Sequence, residues 1–197
     1  VPQLVRSFSD EDGGHGFASR LVTTISGILL LLVAVGVIFA PLLVRLYAPE
    51  FSATGFEREQ AIAVAFTRYC LPQIFFLGLF TMLGQVANAR GSFAPLMWAP
   101  IANNLVVIAV FGGILAFQHN IAIDSITDFQ IQLLGWGTTA GVVIQALILI
   151  PVVHRSGIRI RPIFGVKGLG KSFSLAAWTL IYVLISQLGY LVTVNVA

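Results

Sequence analysis

Residues Leu21–Leu46 read LVTTISGILLLLVAVGVIFAPLLVRL, and this stretch decides the fold. No charged residue occurs in it before Arg45. A helix needs about 20 mostly apolar residues to cross the hydrocarbon core of a bilayer. The stretch is therefore predicted to be a membrane-spanning helix. A strand of a membrane barrel is disfavoured, because residues 28–35 are apolar at every position instead of alternating.

Four further apolar windows of this kind follow, separated by short polar breaks. We predict an all-α bundle of about five complete transmembrane helices, with residues 1–8 as the tail of an earlier one. The predicted helices are about residues 21–46, 61–87, 95–117, 131–153 and 173–197.

The composition agrees with a bilayer environment. Of the 197 residues, 57% are hydrophobic and 10% are charged, whereas soluble domains carry about 25% charged residues. The net charge of +3 does not indicate a nucleic-acid partner, because the basic residues lie between apolar segments. The chain begins without Met and ends in an apolar run, so we expect a piece of a longer protein.

Orientation is predicted from the basic residues, because short loops rich in Lys and Arg stay in the cytoplasm. Alternate breaks are basic, and the largest is a predicted cytoplasmic loop at residues 154–171. The two intervening breaks are acidic on balance and are predicted to face outward. The basic residues of the predicted cytoplasmic breaks are Arg6, Arg20, Arg90, Arg155, Arg159, Arg161, Lys167 and Lys171.

Arg68 is the ionisable residue that lies clearly inside a predicted span. An arginine at the centre of a membrane helix costs about 2.5–3.5 kcal/mol on insertion scales, so it requires an explanation. One interpretation is a cation that faces an aqueous cavity and meets a phosphate or carboxylate. The other is a side chain that reaches the outer interface along its own aliphatic stem.

Uncharged amides also occur at membrane depth, where hydrocarbon cannot solvate them. Any single amide can simply hold two helices together. Their number suggests a polar interior lining. They are Gln73, Gln85, Asn88, Asn103, Asn104, Gln145, Gln187 and Asn195.

Catalytic and metal chemistry have no candidates in the sequence, and no cofactor is predicted. Every acidic residue falls in a predicted loop, and no His is placed to activate Ser or Cys within the predicted bundle. The single cysteine, Cys70, excludes an intramolecular disulfide, and the three histidines lack metal-ligand spacing. We therefore predict that the protein is not an enzyme.

Prolines are predicted to interrupt the spans. Pro41, Pro72, Pro100 and Pro151 each remove a backbone donor and free a carbonyl. A bilayer tolerates this only where a neighbouring helix or a wet cavity satisfies the carbonyl. We expect these kinks to face protein or water.

Residues 85–104, QVANARGSFAPLMWAPIANN, resemble the segment that links the fourth and fifth helices of the MurJ/MviN family of bacterial lipid II flippases. The spacing of Asn88, Phe93, Pro100 and Asn104 carries the resemblance. Flanking matches are residues 47–51, Arg68 with Pro72, and Gly141 with Gln145 and Pro151. The similarity extends over nearly the whole chain.

The resemblance implies that residues 1–197 form part of one transmembrane lobe of a transporter in the bacterial inner membrane. This transporter would flip undecaprenyl-pyrophosphate-linked peptidoglycan precursor by alternating access. The implied partners are that lipid, membrane lipids and a second transmembrane lobe of the same chain. The alternatives are an exporter of another lipid-linked oligosaccharide or of drugs, and a membrane scaffold in cell-wall synthesis that does not transport. The substrate-cavity candidates are Arg68, Gln73, Gln85, Asn88, Asn104, Gln145 and Gln187.

Overall fold

The computed structural model describes residues 14–53, 55–117, 126–165 and 170–196. Every regular element in these ranges is helical, which confirms the predicted all-α class. A short 3₁₀ helix, Pro49–Ser52, follows the second α-helix. The α-helices are α1 His15–Ile38, α2 Ala40–Tyr47, α3 Glu57–Cys70, α4 Pro72–Ala89, α5 Ala94–Phe117, α6 Asp128–Arg155 and α7 Gly170–Val196.

In the described part of the chain, 4 stretches are long and apolar enough to cross a membrane: α1, α3 with α4, α5 and α6. The sequence predicted about five complete spans, and the fifth corresponds to α7. Within α7 the described apolar segment is shorter, Ala177–Thr193. Residues 1–8, the predicted tail of an earlier helix, lie outside the described residues.

Two prolines divide predicted helices. The predicted helix 21–46 is two helices, because the chain leaves α-helical geometry at Phe39, just before Pro41. Leu71 separates α3 from α4, but it keeps α-helical dihedral angles, φ −54° and ψ −37°, so the two helices form one span. In both cases the proline lies in the first turn of the new helix, where its missing N–H is not needed. Pro100 and Pro151 lie inside α5 and α6.

Helix α6 ends in a left-handed glycine. Gly157 has φ 87°, which favours glycine, and the N–H of Ile158 donates to the carbonyl of Val153 at 3.3 Å. This is the Schellman arrangement, in which the residue after the glycine also makes an apolar contact with the last turn. Ile158 and Val153 are both buried in the same cluster. Helix α4 ends in the same way at Gly91, with φ 80°.

Residues 158–165, which we call the strap, run in irregular conformation along α1. They form the described part of the predicted basic loop, since residues 166–169 lie outside the described residues. Every second backbone N–H donates to a side chain one helical turn further along α1. The bonds run from Arg159 to His15 Nδ1 at 3.2 Å, from Arg161 to Ser19 Oγ at 3.2 Å and from Ile163 to Thr23 Oγ1 at 3.3 Å.

The spacing of these bonds has a simple geometric cause. Two residues of extended chain advance about 6.6 Å, and four residues of α-helix advance about 6 Å. Alternate N–H groups of the strap therefore stay in register with one face of α1. Ile158 begins the strap at 0% exposure and anchors it in the core.

The main buried cluster joins α1, α4, α6 and the strap. It lies towards the C-terminal end of α6, where Leu149 and Val153 are buried. Much of the remaining apolar surface faces outward, and Leu31 in mid-α1 is 66% exposed. Contiguous apolar surface of this kind needs hydrocarbon around it. The buried members are Ala18, Val22, Leu83, Val86, Ala87, Leu149, Val153 and Ile158.

Glycines on α6 allow its neighbours to approach closely. A Cβ at Gly135 would lie 2.6 Å from Tyr69 Cβ on α3. A Cβ at Gly137 would lie 2.7 Å from Val110 Cγ2 on α5. Close backbone approach at small residues is the usual way in which membrane helices gain van der Waals contact, because lipid gives no hydrophobic driving force between them. Helix α6 is therefore the central helix, with α3, α4 and α5 packed on it.

Helix α7 stands apart from this bundle. Its contact with α2 is made by Tyr47, whose ring centroid lies 6.1 Å from that of Tyr190. Large apolar side chains on several sides of α7 are exposed, for example Trp178, Tyr182 and Leu188. The faces of α7 thus have little packing against α1–α6.

We predict that Gly135→Ala lowers the thermal stability of the protein in detergent. The added Cβ has no room against Tyr69, and overpacking of this kind costs about 1–3 kcal/mol. The matched control is Gly112→Ala, because nothing lies within 4 Å of the Cβ position at that glycine. If Gly135→Ala lowered the melting temperature no more than Gly112→Ala does, the close α3–α6 contact would be contradicted.

Candidate functional site

Charge is separated between the two ends of the bundle. The start of α1, the α4–α5 turn and the end of α6 meet at one end, which we call the basic end, where Arg20 and Arg90 lie. The acidic residues that the structure describes all lie at the opposite, acidic end. The side of the membrane that each end faces stays a prediction. The described acidic residues are Glu50, Glu57, Glu59 and Asp128.

The break between α3 and α4 is stabilised by α6. At this break the hydroxyl of Thr139 donates to the carbonyl of Tyr69 at 2.7 Å. The carbonyls near a proline lose helical partners, and an unsatisfied carbonyl in hydrocarbon is costly. A neighbouring helix thus supplies a partner for the carbonyl three residues before Pro72. Thr139 is itself buried.

Gln73 belongs to the same network. Its Nε2 donates to the hydroxyls of Thr138 and Thr139, each at 3.1 Å. Thr138 in turn donates to the carbonyl of Leu134 at 2.8 Å. The amide of Gln73 therefore links α4 to α6, which is a structural role. The two threonines were missed by the sequence analysis, although paired hydroxyls near glycines on an apolar helix are a recognisable sign of helix contacts.

Arg68 lies in the last turn of α3 and is exposed on the surface of the bundle. Its guanidinium has no hydrogen-bond or ion-pair partner among the residues that the structure describes. The ring of the neighbouring residue Tyr69 contacts that of Trp136 in a tilted arrangement, with ring centroids 5.6 Å apart and an interplanar angle of 43°. The aromatic pair thus fixes the α3 backbone beside Arg68, while the arginine side chain points away from the protein core.

The adjacent amides on α5 have different surroundings. Asn104, the candidate of the sequence analysis, is exposed on the bundle surface. Asn103 is half-buried, and its Oδ1 is buried without a hydrogen-bond partner in the described protein, pressed against Gly141 of α6. A glycine Cα–H can make a weak contact with such an oxygen. Asn103 therefore forms the α5–α6 contact, and Asn104 is available to a ligand.

The remaining candidates divide by burial. Gln145 is 5% exposed on α6 and has no side-chain hydrogen bond within the described ranges. Gln85 and Asn88, near the end of α4, are half-buried. Gln187 on α7 is exposed, and its Oε1 accepts a hydrogen bond from the hydroxyl of Tyr47 at 2.9 Å. The side chain of Asn195 lies outside the described residues.

The structure thus does not gather the seven candidates into one pocket of the described bundle. Gln73 and Gln187 contribute to helix contacts, and Gln145 is enclosed in the bundle. Arg68 and Asn104 face outward. In the part of the chain that is described, no group of three His, Cys, Asp or Glu side chains could hold a metal ion.

An apolar groove of about 530 Å³ lies between α5 and α6 near the acidic end. Its walls are mostly aliphatic, with Val106, Val110 and Leu133 among them. Such a surface suits a hydrocarbon chain and not a charged head group.

Four apolar spans, close glycine contacts and a network that satisfies a proline break define a polytopic α-helical membrane protein. The family model described as "Lipid II flippase MurJ" matches residues 1–197. The chain belongs to that family, which confirms the resemblance found in the sequence.

Two similar proteins are each named "Probable lipid II flippase MurJ". The one from Buchnera aphidicola subsp. Baizongia pistaciae is 27% identical over 156 residues, which cover 79% of this chain and 28% of the relative. The one from Rickettsia prowazekii is 28% identical over 115 residues, which cover 57% of this chain and 22% of the relative. The chain thus spans less than a third of the length of these relatives.

We predict that Thr139→Val destabilises the protein, because it removes the donor to Tyr69 and an acceptor for Gln73 with almost no change of shape. Hydrogen bonds between membrane helices are worth about 0.6 kcal/mol on average and about 1.7 kcal/mol at most. The expected loss lies at the upper end, since a backbone carbonyl is left unsatisfied. Thr81→Val is the control, because Thr81 bonds only within its own helix, to Leu77. Equal melting temperatures for the two variants would refute the network.

Proposed function

We propose that this chain is a transmembrane part of a flippase that moves undecaprenyl-pyrophosphate-linked peptidoglycan precursor across the bacterial inner membrane. Membership of the lipid II flippase family supports this, as do the printed names of the relatives. The reaction changes no covalent bond. The task of the protein is to give a charged head group a polar path through hydrocarbon while the prenyl chain stays in lipid.

The observation that carries the proposal is the exposure of Arg68 without a counterion among the described residues. A guanidinium with a planar fork of donors can bind a pyrophosphate with two parallel hydrogen bonds. An arginine that merely held the bundle together would have an acid or carbonyl partner within it. Arg68 has neither within the described ranges, which supports a role in binding a group outside these residues.

The depth of Arg68 supports a cavity. Its neighbour Tyr69 is level with Gly135, seven residues after the first residue of α6. At 1.5 Å per residue this level is about 10 Å from the acidic end of α6 and about 10 Å from its midpoint. With the midpoint of α6 set at the bilayer midplane, this level falls within the hydrocarbon core, which extends about 15 Å on each side. This supports the assignment of Arg68 to a cavity.

Asn104 extends the proposed polar surface. Its neighbour Asn103 contacts Gly141, which is six residues, or about 9 Å, further along α6 than Gly135. An exposed amide near the midpoint of α6 has no partner in lipid. We therefore assign Asn104, with Arg68, to the head-group path. Gln85 and Asn88, both half-buried, are proposed to continue it towards the basic end.

A second transmembrane lobe is the proposed partner of this bundle. The exposed apolar faces of α7, with Trp178, Tyr182 and Leu188, support it, since such faces can pack on further helices. The length of the relatives, of which this chain spans less than a third, also supports it. A cavity between two lobes would bring a polar wall to Arg68 and Asn104.

We predict that Arg68→Ala in the intact protein abolishes flipping while the protein still accumulates in the membrane. Arg68→Lys should restore activity only in part, because an ammonium lacks the planar fork. The measurement is growth of a flippase-depleted strain, with membrane abundance determined in parallel. Arg45→Ala is the control, since this exposed arginine on α2 carries the same charge. Full growth with Arg68→Ala would show that Arg68 only extends to the interface.

We predict that the basic end faces the cytoplasm, because short Lys- and Arg-rich loops are retained there. In a Cys70→Ser background, a cysteine at Glu50 should react with an impermeant thiol reagent in intact cells. A cysteine at Phe164, which is 86% exposed, should react only after the membrane is opened. The reverse pattern would mean that the topology is inverted.

A further inference from the structure

A basic cavity of about 450 Å³ lies at the basic end, between the first turns of α1 and the strap. Its lining includes three arginines, Arg20 from α1 and Arg159 and Arg161 from the strap, together with His15 and Ser19. None of these arginines belongs to the head-group path proposed above. Arg68 lies level with Gly135, and the end of α6 at Arg155 is 20 residues, or about 30 Å, further along that helix.

The two strap arginines are held in place by the backbone. Ile158, at 0% exposure, is buried in the core, and Ile160 packs against the same cluster. Arg159 and Arg161 alternate with these two residues and are both exposed, so their side chains point away from the core. Their own N–H groups donate to His15 and Ser19 on α1. The backbone of both arginines is therefore fixed beside α1, and their side chains extend from there.

The three positive charges are not compensated in the described protein. Arg20, Arg159 and Arg161 have no ion-pair partner there, and all the acidic residues that the structure describes lie at the acidic end of the bundle. Like charges around one cavity repel each other, and an anion between them removes that repulsion. The positive end of the α1 dipole also lies here and favours negative charge.

We propose that this cavity binds a phosphate or diphosphate group at the membrane surface. Guanidinium groups are the side chains best matched to phosphate oxygens, which accept paired hydrogen bonds from the planar fork. A cavity of about 450 Å³ is in the size range of small-ligand sites. The group can come from a lipid head group or from a soluble phosphate compound, since basic pockets at the ends of membrane helices bind the former.

The test uses the intact protein in nanodiscs of phosphatidylcholine, with inorganic pyrophosphate as the probe. Binding is read locally, from an environment-sensitive fluorophore on Phe164→Cys in a Cys70→Ser background. Phe164 is 86% exposed and adjoins Ile163, which lines the cavity. The local label separates this cavity from Arg68, so failure of one proposal leaves the other standing.

Pyrophosphate should change the fluorescence in a saturable manner. Arg159→Gln and Arg161→Gln should each weaken binding at least about fivefold, which corresponds to the loss of one charge-assisted contact. Arg155→Gln is the matched control. It removes the same charge from an exposed residue at the same end of the bundle, but it lines a different cavity and should weaken binding less than about twofold.

The source of the phosphate is distinguished by repeating the titration in nanodiscs that contain phosphatidylglycerol. If a lipid phosphate occupies the cavity, phosphatidylglycerol should compete with pyrophosphate. The apparent affinity of the control Arg155→Gln for pyrophosphate should then fall several-fold, and that of Arg161→Gln, whose cavity is already impaired, should stay nearly unchanged. Equal affinities in both kinds of disc would indicate a soluble phosphate compound. Either result supports an anion site.

Three results would overturn the proposal. The first is no response to pyrophosphate in the otherwise unchanged protein. The second is a loss of affinity in Arg155→Gln as large as in Arg161→Gln, which would indicate only a general surface charge. The third is pyrophosphate binding that appears only in the triple variant Asp10→Asn, Glu11→Gln and Asp12→Asn. This would mean that the chain's own acidic segment occupies the cavity.

Discussion

A bilayer offers no water to a backbone carbonyl, and the hydrogen bond from Thr139 to Tyr69 shows how this protein meets that constraint. Pro72 divides a long span into α3 and α4 at membrane depth. The division is tolerable because α6 lies close enough to supply a hydroxyl. That closeness depends in turn on Gly135, where no side chain keeps Tyr69 at a distance.

Helix α6 therefore organises the bundle by two means. Its glycines allow α3 and α5 to approach, and its threonines satisfy polar groups of α3 and α4. The amides at membrane depth consequently have different roles. Gln73 is used within the bundle, and Asn103 fills the contact with Gly141, whereas Arg68 and Asn104 are directed outward. A polar residue in a membrane helix is thus no guide to function until its partner is known.

The strap gives the basic end a defined structure. A loop of basic residues needs only its charge to stay in the cytoplasm. Here the loop is also docked, because Ile158 enters the core and alternate N–H groups bond along α1. Docking converts separate charges into a cavity with three arginines around it. The strap also connects α6 to α7, so it lies where the bundle passes to the helix that stands apart from it.

Much of the fold was determined by the sequence alone. Long uncharged runs such as 21–44 have one stable form in lipid, a helix that satisfies its own backbone, so the all-α class was predictable. The family was also predictable, from the spacing of Asn88, Phe93, Pro100 and Asn104. The helix break before Pro41 was expected only as a kink, because a proline shows where a helix is weakened and not whether neighbouring helices restore it.

The roles of individual side chains were decided only by the tertiary structure. Sequence shows that Gln73, Asn103 and Asn104 are amides at membrane depth, but a rotation of about 100° between adjacent helical residues separates a packed position from an exposed one. Likewise, Arg20 and the strap arginines are more than 130 positions apart in the sequence, and hydrogen bonds between the strap and α1 bring them around one cavity. Long-range contacts of this kind depend on how the helices pack, which a single sequence does not specify.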